Sequence, residues 1–450
     1  MKLISKDKIG ISWVVLCMGA ALVFYAVIMG FEEINILYEG AYVIGLMLTL
    51  LFLLGGVIVS DMLKPPHEQP ERIGDKLVTL IFALLMIAGL IAVRGALLYF
   101  HSGDYVSHLR YWVAELRELS VRDGLSTNVG NYNMPYMYII LLISRVDFPA
   151  LYLIKFASML FDIVLAYFVM KLVSLRTQRV NLRLAAFIGA LAIPTVILNG
   201  AMWAQSDAIY AAFAMGALYF GMAEKSKRAY IFMGLAFSFK MQALFILPVF
   251  FVFVLKKKIR LKDAWLFPVT FAGMLLPALF AGMPVREALV VYFEQFGYYG
   301  SLYSNAISIW RLVGLVNEAQ FITAGLFLAG TVTVALLYFI YVNRERITKT
   351  ADFVYMAYLF AAILPFTLPK MHDRFLFMAD ILSLLVFAYN KKRWFVPVVT
   401  IFASYSSYAW FLMGPVTLLD PVHTSLALGA VIFVVLKDFV ECLYSEKEVY

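Results

Sequence analysis

The chain has 450 residues, of which 63% are hydrophobic and 15% charged, with a mean hydropathy of +0.85 and a formal charge of +8. Soluble globular domains carry about 25% charged residues, so this composition excludes one. The surplus Lys and Arg are divided among short loops between apolar runs rather than set on one polar surface, which fits membrane topology and argues against a nucleic-acid partner.

Lys2, Lys6 and Lys8 lead directly into an apolar run from Ile9 to Phe31 without a small-residue cleavage site, so a retained first helix is expected. About 20 helical residues cross a hydrocarbon core of about 30 Å. By that measure further spans are expected at 40–60, 79–99, 150–173, 184–198, 203–222, 264–281, 320–341, 351–367, 376–389, 395–413 and 423–437. The run from Met134 to Ile143 reads as a short in-plane or re-entrant helix starting at Asn133 and Pro135, because another crossing would turn Arg176, Arg179 and Arg183 outward.

Residues 230–255 are flanked by Lys225, Lys227 and Arg228 on one side and by Lys256, Lys257, Lys258, Arg260 and Lys262 on the other. Both ends favour the cytoplasm, which predicts a hairpin of two short arms with Lys240, Met241 and Gln242 at its tip. Arms this short require a water-filled or protein-lined recess. The expected architecture is an all-α polytopic membrane protein with fourteen membrane segments, cytoplasmic termini and in-plane helices on the extracytoplasmic side. Cys17 and Cys442 are too far apart in sequence and depth for a disulfide.

Eleven of the 37 basic residues fall outside the cytoplasmic loops, and several stand beside acidic, amide and aromatic residues in a few outer segments. Asp104 lies just beyond a span, ahead of an amphipathic stripe formed by Leu109, Trp112, Val113, Leu116 and Leu119. It either caps that helix or serves chemistry. Trp203, Gln205 and Asp207 interrupt what would otherwise be two tightly joined helices, and an acid at membrane depth is costly. Lys240 and Gln242 offer a cation and an amide to the same outer region, and the short arms favour a buried anionic partner for Lys240. Lys370, His372 and Arg374 crowd one turn, a pattern suited to a ligand carrying negative charge. Within a span, Lys155 and Asp162 lie two turns apart and read as a buried structural pair.

Taken together, Ser102-Gly-Asp-Tyr105, Asn131-Tyr-Asn-Met-Pro-Tyr136, Trp203-Ala-Gln-Ser-Asp207, Phe237-Ser-Phe-Lys-Met-Gln242 and Met371-His-Asp-Arg-Phe375 resemble glycosyltransferases of the C superfold. The resemblance is to the bacterial branch related to GPI-anchor mannosyltransferases, and it covers roughly residues 79–390 in motif order and spacing. It departs from the family pattern with Ala204 where glycine is common, and with Asp373 and Phe375 where glutamate and tyrosine are common. Two N-terminal spans and a cytoplasmic loop (1–78) precede this core, whose outer loop covers 100–149, and two C-terminal spans with a tail (391–450) follow it.

The resemblance implies transfer of a hexose-type sugar from a polyprenyl-phosphate carrier, with inversion, on the outer face of a bacterial plasma membrane. It implies Asp104 as the catalytic base and a donor-phosphate role for the Met371 to Phe375 motif, with His372, Arg374 and Lys240 as the available cations. Tyr105, Trp203, Gln205, Asp207, Gln242, Asn305 and Trp310 are the candidates for contacts to sugar or acceptor. The acceptor would be a glycan, a glycolipid or a protein. No group of His, Asp and Glu has divalent-metal spacing, so a reaction without metal or other cofactor is expected. Two alternatives stay open: a transporter or flippase of lipid-linked saccharides, and a polysaccharide polymerase or ligase using a pyrophosphate-linked donor.

Overall fold

A computed structural model describes residues 47–56, 73–297, 301–313, 318–414 and 420–444. The expected span over 9–31, Cys17 and the start of the second span lie outside the described residues. Nearly everything described is helical, as a chain of this apolarity requires where no water is present to satisfy its backbone N–H and C=O groups.

Among the described residues, six helices are long and apolar enough to cross a membrane: Leu77–Ala96, Ala150–Ser174, Leu261–Ala281, Gln320–Val342, Thr350–Thr367 and Lys391–Met413. A seventh crossing is formed if Val180–Ala192 and Pro194–Met202 count as one, bent by 53° where Pro194 has no N–H to continue the ladder. Met134–Ser144, Asp207–Met222, Met241–Leu255 and Phe377–Tyr389 are shorter apolar helices. The stripe of Leu109, Trp112, Val113 and Leu116 is buried, and its helix, Arg110–Glu118, packs on Met134–Ser144.

Small residues let the central helices close up. The Asp207–Met222 helix lies between Ala150–Ser174 and Ser226–Phe239. A Cβ at Gly216 would come within 2.4 Å of Phe232, and one at Gly221 within 2.3 Å of Phe253. Packing of this kind, rather than a hydrophobic drive, associates helices in lipid.

Side-chain contacts sort the loops into two ends. At one, the Arg260 N–H donates to Ser226 Oγ at 2.9 Å, Lys258 pairs with Glu224 at 3.0 Å, Lys256 donates to the Arg344 carbonyl at 2.8 Å and Tyr444 to Asn343 at 2.7 Å. Arg393 pairs with Asp438 at the same end. At the other, Ser102 donates to the Trp203 carbonyl at 2.7 Å, Arg122 to that of Ala281 at 3.2 Å, and Ser407 to that of Asn305 at 2.7 Å.

Residues 226–255 therefore start and finish at the basic end. The Ser226–Phe239 helix stops at Lys240, whose backbone is extended (φ −152°, ψ 140°), and the chain returns through a 3-10 turn, Met241–Ile246, and the helix Leu247–Leu255.

The expected Lys155–Asp162 pair does not form. Asp162 takes Arg94 Nε at 3.2 Å, and Arg94 also donates to the Leu191 carbonyl at 2.8 Å. Lys155 instead donates to the carbonyls of Leu97, Leu98 and Phe100 at 3.0, 2.8 and 2.8 Å. These carbonyls follow the C-terminus of the Ile73–Ala96 helix, where backbone acceptors lack intrahelical donors and a cation is favoured.

Candidate active site

Asp104 sits at the start of a π-helical turn, Tyr105–Leu109, yet its side chain makes no capping hydrogen bond. Ser102 takes that task, its Oγ accepting from the Tyr105 N–H at 3.2 Å. The Asp104 carboxylate is turned towards the 203–207 break, where Oδ2 accepts from Trp203 Nε1 at 2.8 Å and from Gln205 Nε2 at 2.6 Å. Arg374 Nη2 approaches the same oxygen at 3.7 Å. Three donors thus converge on Oδ2, and the Asp104 side chain is 25% exposed.

The break is sharp because Ala204 has a left-handed backbone (φ 65°). A π-turn, Leu198–Met202, leads into it, and the Asp207–Met222 helix starts directly after it. Trp203 is completely buried. Its ring stacks on Phe411 at 4.4 Å and meets Tyr408 edge-on at 5.0 Å, while the Arg374 guanidinium lies 5.0 Å over it. Such a ring has no face to offer a sugar; its indole N–H orients Asp104.

Gln205 is fixed from both ends. Its Oε1 accepts from the Tyr132 hydroxyl at 2.6 Å and from Arg374, which obliges its Nε2 to face Asp104. Asp207 is buried and more heavily paired, with Lys240 at 2.6 Å on Oδ1, and Asn199 at 2.7 Å and Arg374 at 3.4 Å on Oδ2. The Lys240 ammonium also lies 5.2 Å over the Tyr132 ring. The buried anion expected for Lys240 is Asp207.

Arg374 and His372 arrive on a turn held by a two-residue parallel ladder, Tyr303–Ser304 against Met371–His372, with a bridge from Asn305 to His372. His372 Nδ1 contacts the Asp373 carboxylate, which is buried. Burial pushes the Asp373 carboxyl above its ordinary pKa, against the pull of His372 and Arg374. The Arg374 Nε is buried 3.7 Å from Asp373 Oδ1 and makes no hydrogen bond among the described residues.

The structure brings Asp104, Trp203, Gln205, Asp207, Lys240 and Arg374 into one cluster. Asn305 and His372 are tied to its edge through the ladder. Tyr105 is half-buried with its ring 5.7 Å from His101, and burial raises its hydroxyl pKa. Gln242 has a buried Oε1 with no hydrogen bond among the described residues. Trp310 stands apart, its indole donating to the Thr367 carbonyl at 2.8 Å while its ring covers Gly325.

Asn199, Tyr132, Tyr408 and Phe411 complete the cluster, and none of them stands out in the sequence as a candidate. Tyr132 lies within Asn131-Tyr-Asn-Met-Pro-Tyr136; the others look like ordinary span residues. Tyr408 and Phe411 come from the Phe395–Met413 helix, which therefore packs on the cluster although it lies beyond the 79–390 core.

Among the described residues no three His, Cys, Asp or Glu side chains gather as a metal site. Chemically, the cluster sets one partly exposed carboxylate, Asp104, beside two buried cations, Lys240 and Arg374, that share a second, buried carboxylate, Asp207. Asp207 is buried and committed to its partners, whereas Asp104 is partly exposed. No family model matches this chain, and no curated protein does.

Proposed function

We propose that this protein is a multi-span glycosyltransferase that moves a hexose-type sugar from a polyprenyl-phosphate carrier to a hydroxyl acceptor, inverting the anomeric carbon. The observation that carries this reading is the setting of Asp104: one oxygen held by Trp203 and Gln205, and the side chain still partly exposed beside Arg374.

In the proposed step, Asp104 Oδ1 accepts the proton of the acceptor hydroxyl as that oxygen bonds to the anomeric carbon. The bond from that carbon to the phosphate oxygen breaks on the opposite side, and the phosphate leaves with the electron pair. Arg374 and His372, with Lys240 behind them, supply positive charge for the departing phosphate. Gln205 and Asp207 hold Asp104 and Arg374 in register.

In this reading the chain forms fourteen membrane segments in the manner of the C superfold. Its termini and basic end face the cytoplasm, and the cluster faces outward from a bacterial plasma membrane. The acceptor is a cell-wall polysaccharide, a glycolipid or a protein. Gathering of the polar cluster at one end favours a transferase over a transporter, which would place such groups near the midplane between repeated halves.

The test is transfer by purified protein in lipid nanodiscs supplied with defined polyprenyl-monophosphate and polyprenyl-pyrophosphate sugars. Transfer from the monophosphate alone is expected. Transfer from the pyrophosphate alone would point to a polymerase or ligase, and movement of intact carrier without bond cleavage to a flippase.

A further inference from the structure

Seven aspartates are buried among the described residues, and six have an evident compensating partner. Asp162 has Arg94 at 3.2 Å, Asp207 has Lys240 at 2.6 Å, Asp263 has Arg260 at 2.9 Å, and Asp438 has Arg393. Asp373 has His372 and, at 3.7 Å, Arg374. Asp352 accepts from the N–H groups of Thr348 and Lys349 at 3.0 and 2.8 Å. Asp380 differs: it is wholly buried and has no ion pair among the described residues.

What surrounds Asp380 is oxygen. Its Oδ2 accepts from the Thr195 hydroxyl at 2.6 Å. Its Oδ1 is buried with no partner among the described residues other than the adjacent Ser404 Oγ, which is likewise buried. The buried Tyr210 hydroxyl, also without a hydrogen bond, lies within electrostatic reach of it. Thr195 stands in the first turn after the 53° break at Pro194, and broken helices inside bundles are where small ions are bound in other membrane folds. An ionised carboxyl in such surroundings needs a neutralising partner.

We infer that Asp380, Thr195 and Ser404 form a buried site for a monovalent alkali cation, best suited to Na+. Oxygen-only ligands suit a hard cation. A single carboxylate balances one positive charge, whereas a divalent ion would leave an uncompensated charge in an apolar bundle. The inference does not depend on the glycosyltransferase reading.

The test uses the full chain in nanodiscs at pH 8, with Tm measured in NaCl, KCl and N-methyl-D-glucamine chloride at equal ionic strength. The wild-type Tm is expected to rise and saturate with Na+, to rise less with K+, and to stay flat in the organic cation. Asp380→Asn should lose the Na+ response, and Ser404→Ala should need about tenfold more Na+. Should Asp380→Asn fail to fold, equilibrium dialysis with radioactive Na+ on wild type and Ser404→Ala decides, with one ion bound per wild-type chain expected. A wild-type Tm indifferent to Na+, an equal response in Asp380→Asn, or no retained ion would overturn the site and leave Asp380 neutralised by a proton.

Discussion

Gln205 donates its amide N–H to the Asp104 carboxylate at 2.6 Å while its amide oxygen is held by the Tyr132 hydroxyl at 2.6 Å. Tyr132 and Arg374, both donating to that oxygen, together decide which end of the amide faces Asp104. Gln205→Glu replaces the donor with a carboxylate set against a carboxylate, and Tyr132→Phe removes one of the two donors that hold the amide oxygen. Both should lower kcat for sugar transfer, by about tenfold or more for each lost hydrogen bond to a charged group, with little change in KM. Unchanged kcat in both would remove the positioning role.

Much of this arrangement can be traced to the sequence, for identifiable reasons. Basic clusters on both sides of residues 230–255 imply a return to the same end, and contacts near Ser226 and Arg260 join there. Asp104, Gln205, Asp207, Lys240 and Arg374 are conspicuous because polar groups interrupt apolar runs at a cost. Asn199, Tyr408 and Phe411 lack that contrast, and their partners are set by tertiary packing. Lys155 and Asp162 show the limit of spacing arguments: they share a helix, but Arg94 from another helix takes the acid. The Tyr303–Ser304 ladder to Met371–His372 is too short to leave an alternating pattern.

The Asp207–Lys240 pair is nearly dry, with side chains 2% and 10% exposed. Removing one partner leaves a buried charge, so Lys240→Met should cost about 3 kcal/mol or more of stability. The double variant Asp207→Asn/Lys240→Met should recover only part of this, because Arg374 also loses a partner at 3.4 Å. Thermal unfolding of the two single variants and the double variant measures the coupling. Simple additivity would contradict a mutually dependent pair.

Ala204 carries a left-handed backbone that costs an L-residue about 1 kcal/mol and glycine nothing. Ala204→Gly should therefore raise stability, less the flexibility it adds to the unfolded chain. A drop in Tm would show that the alanine methyl packs to more effect than the strain costs.

The raised pKa of Asp373 has a definite sign. Its folded form holds the proton more tightly than the unfolded chain does, so this contribution to stability is fully present below the ordinary carboxylate pKa of about 4. It is lost as pH rises through the higher folded value. Asp373→Asn cannot ionise, so its Tm relative to wild type should improve as pH rises from about 4 into the neutral range. A Tm difference independent of pH would contradict that sign.

In the proposed mechanism Asp104 takes the acceptor proton, and the direct measurement is the transfer rate of purified, folded Asp104→Asn with a polyprenyl-monophosphate sugar. Asparagine keeps the shape and can still accept from Trp203, but it cannot take the proton. The rate should fall by at least about a hundredfold, with the donor still bound. A rate near that of wild type would contradict the account.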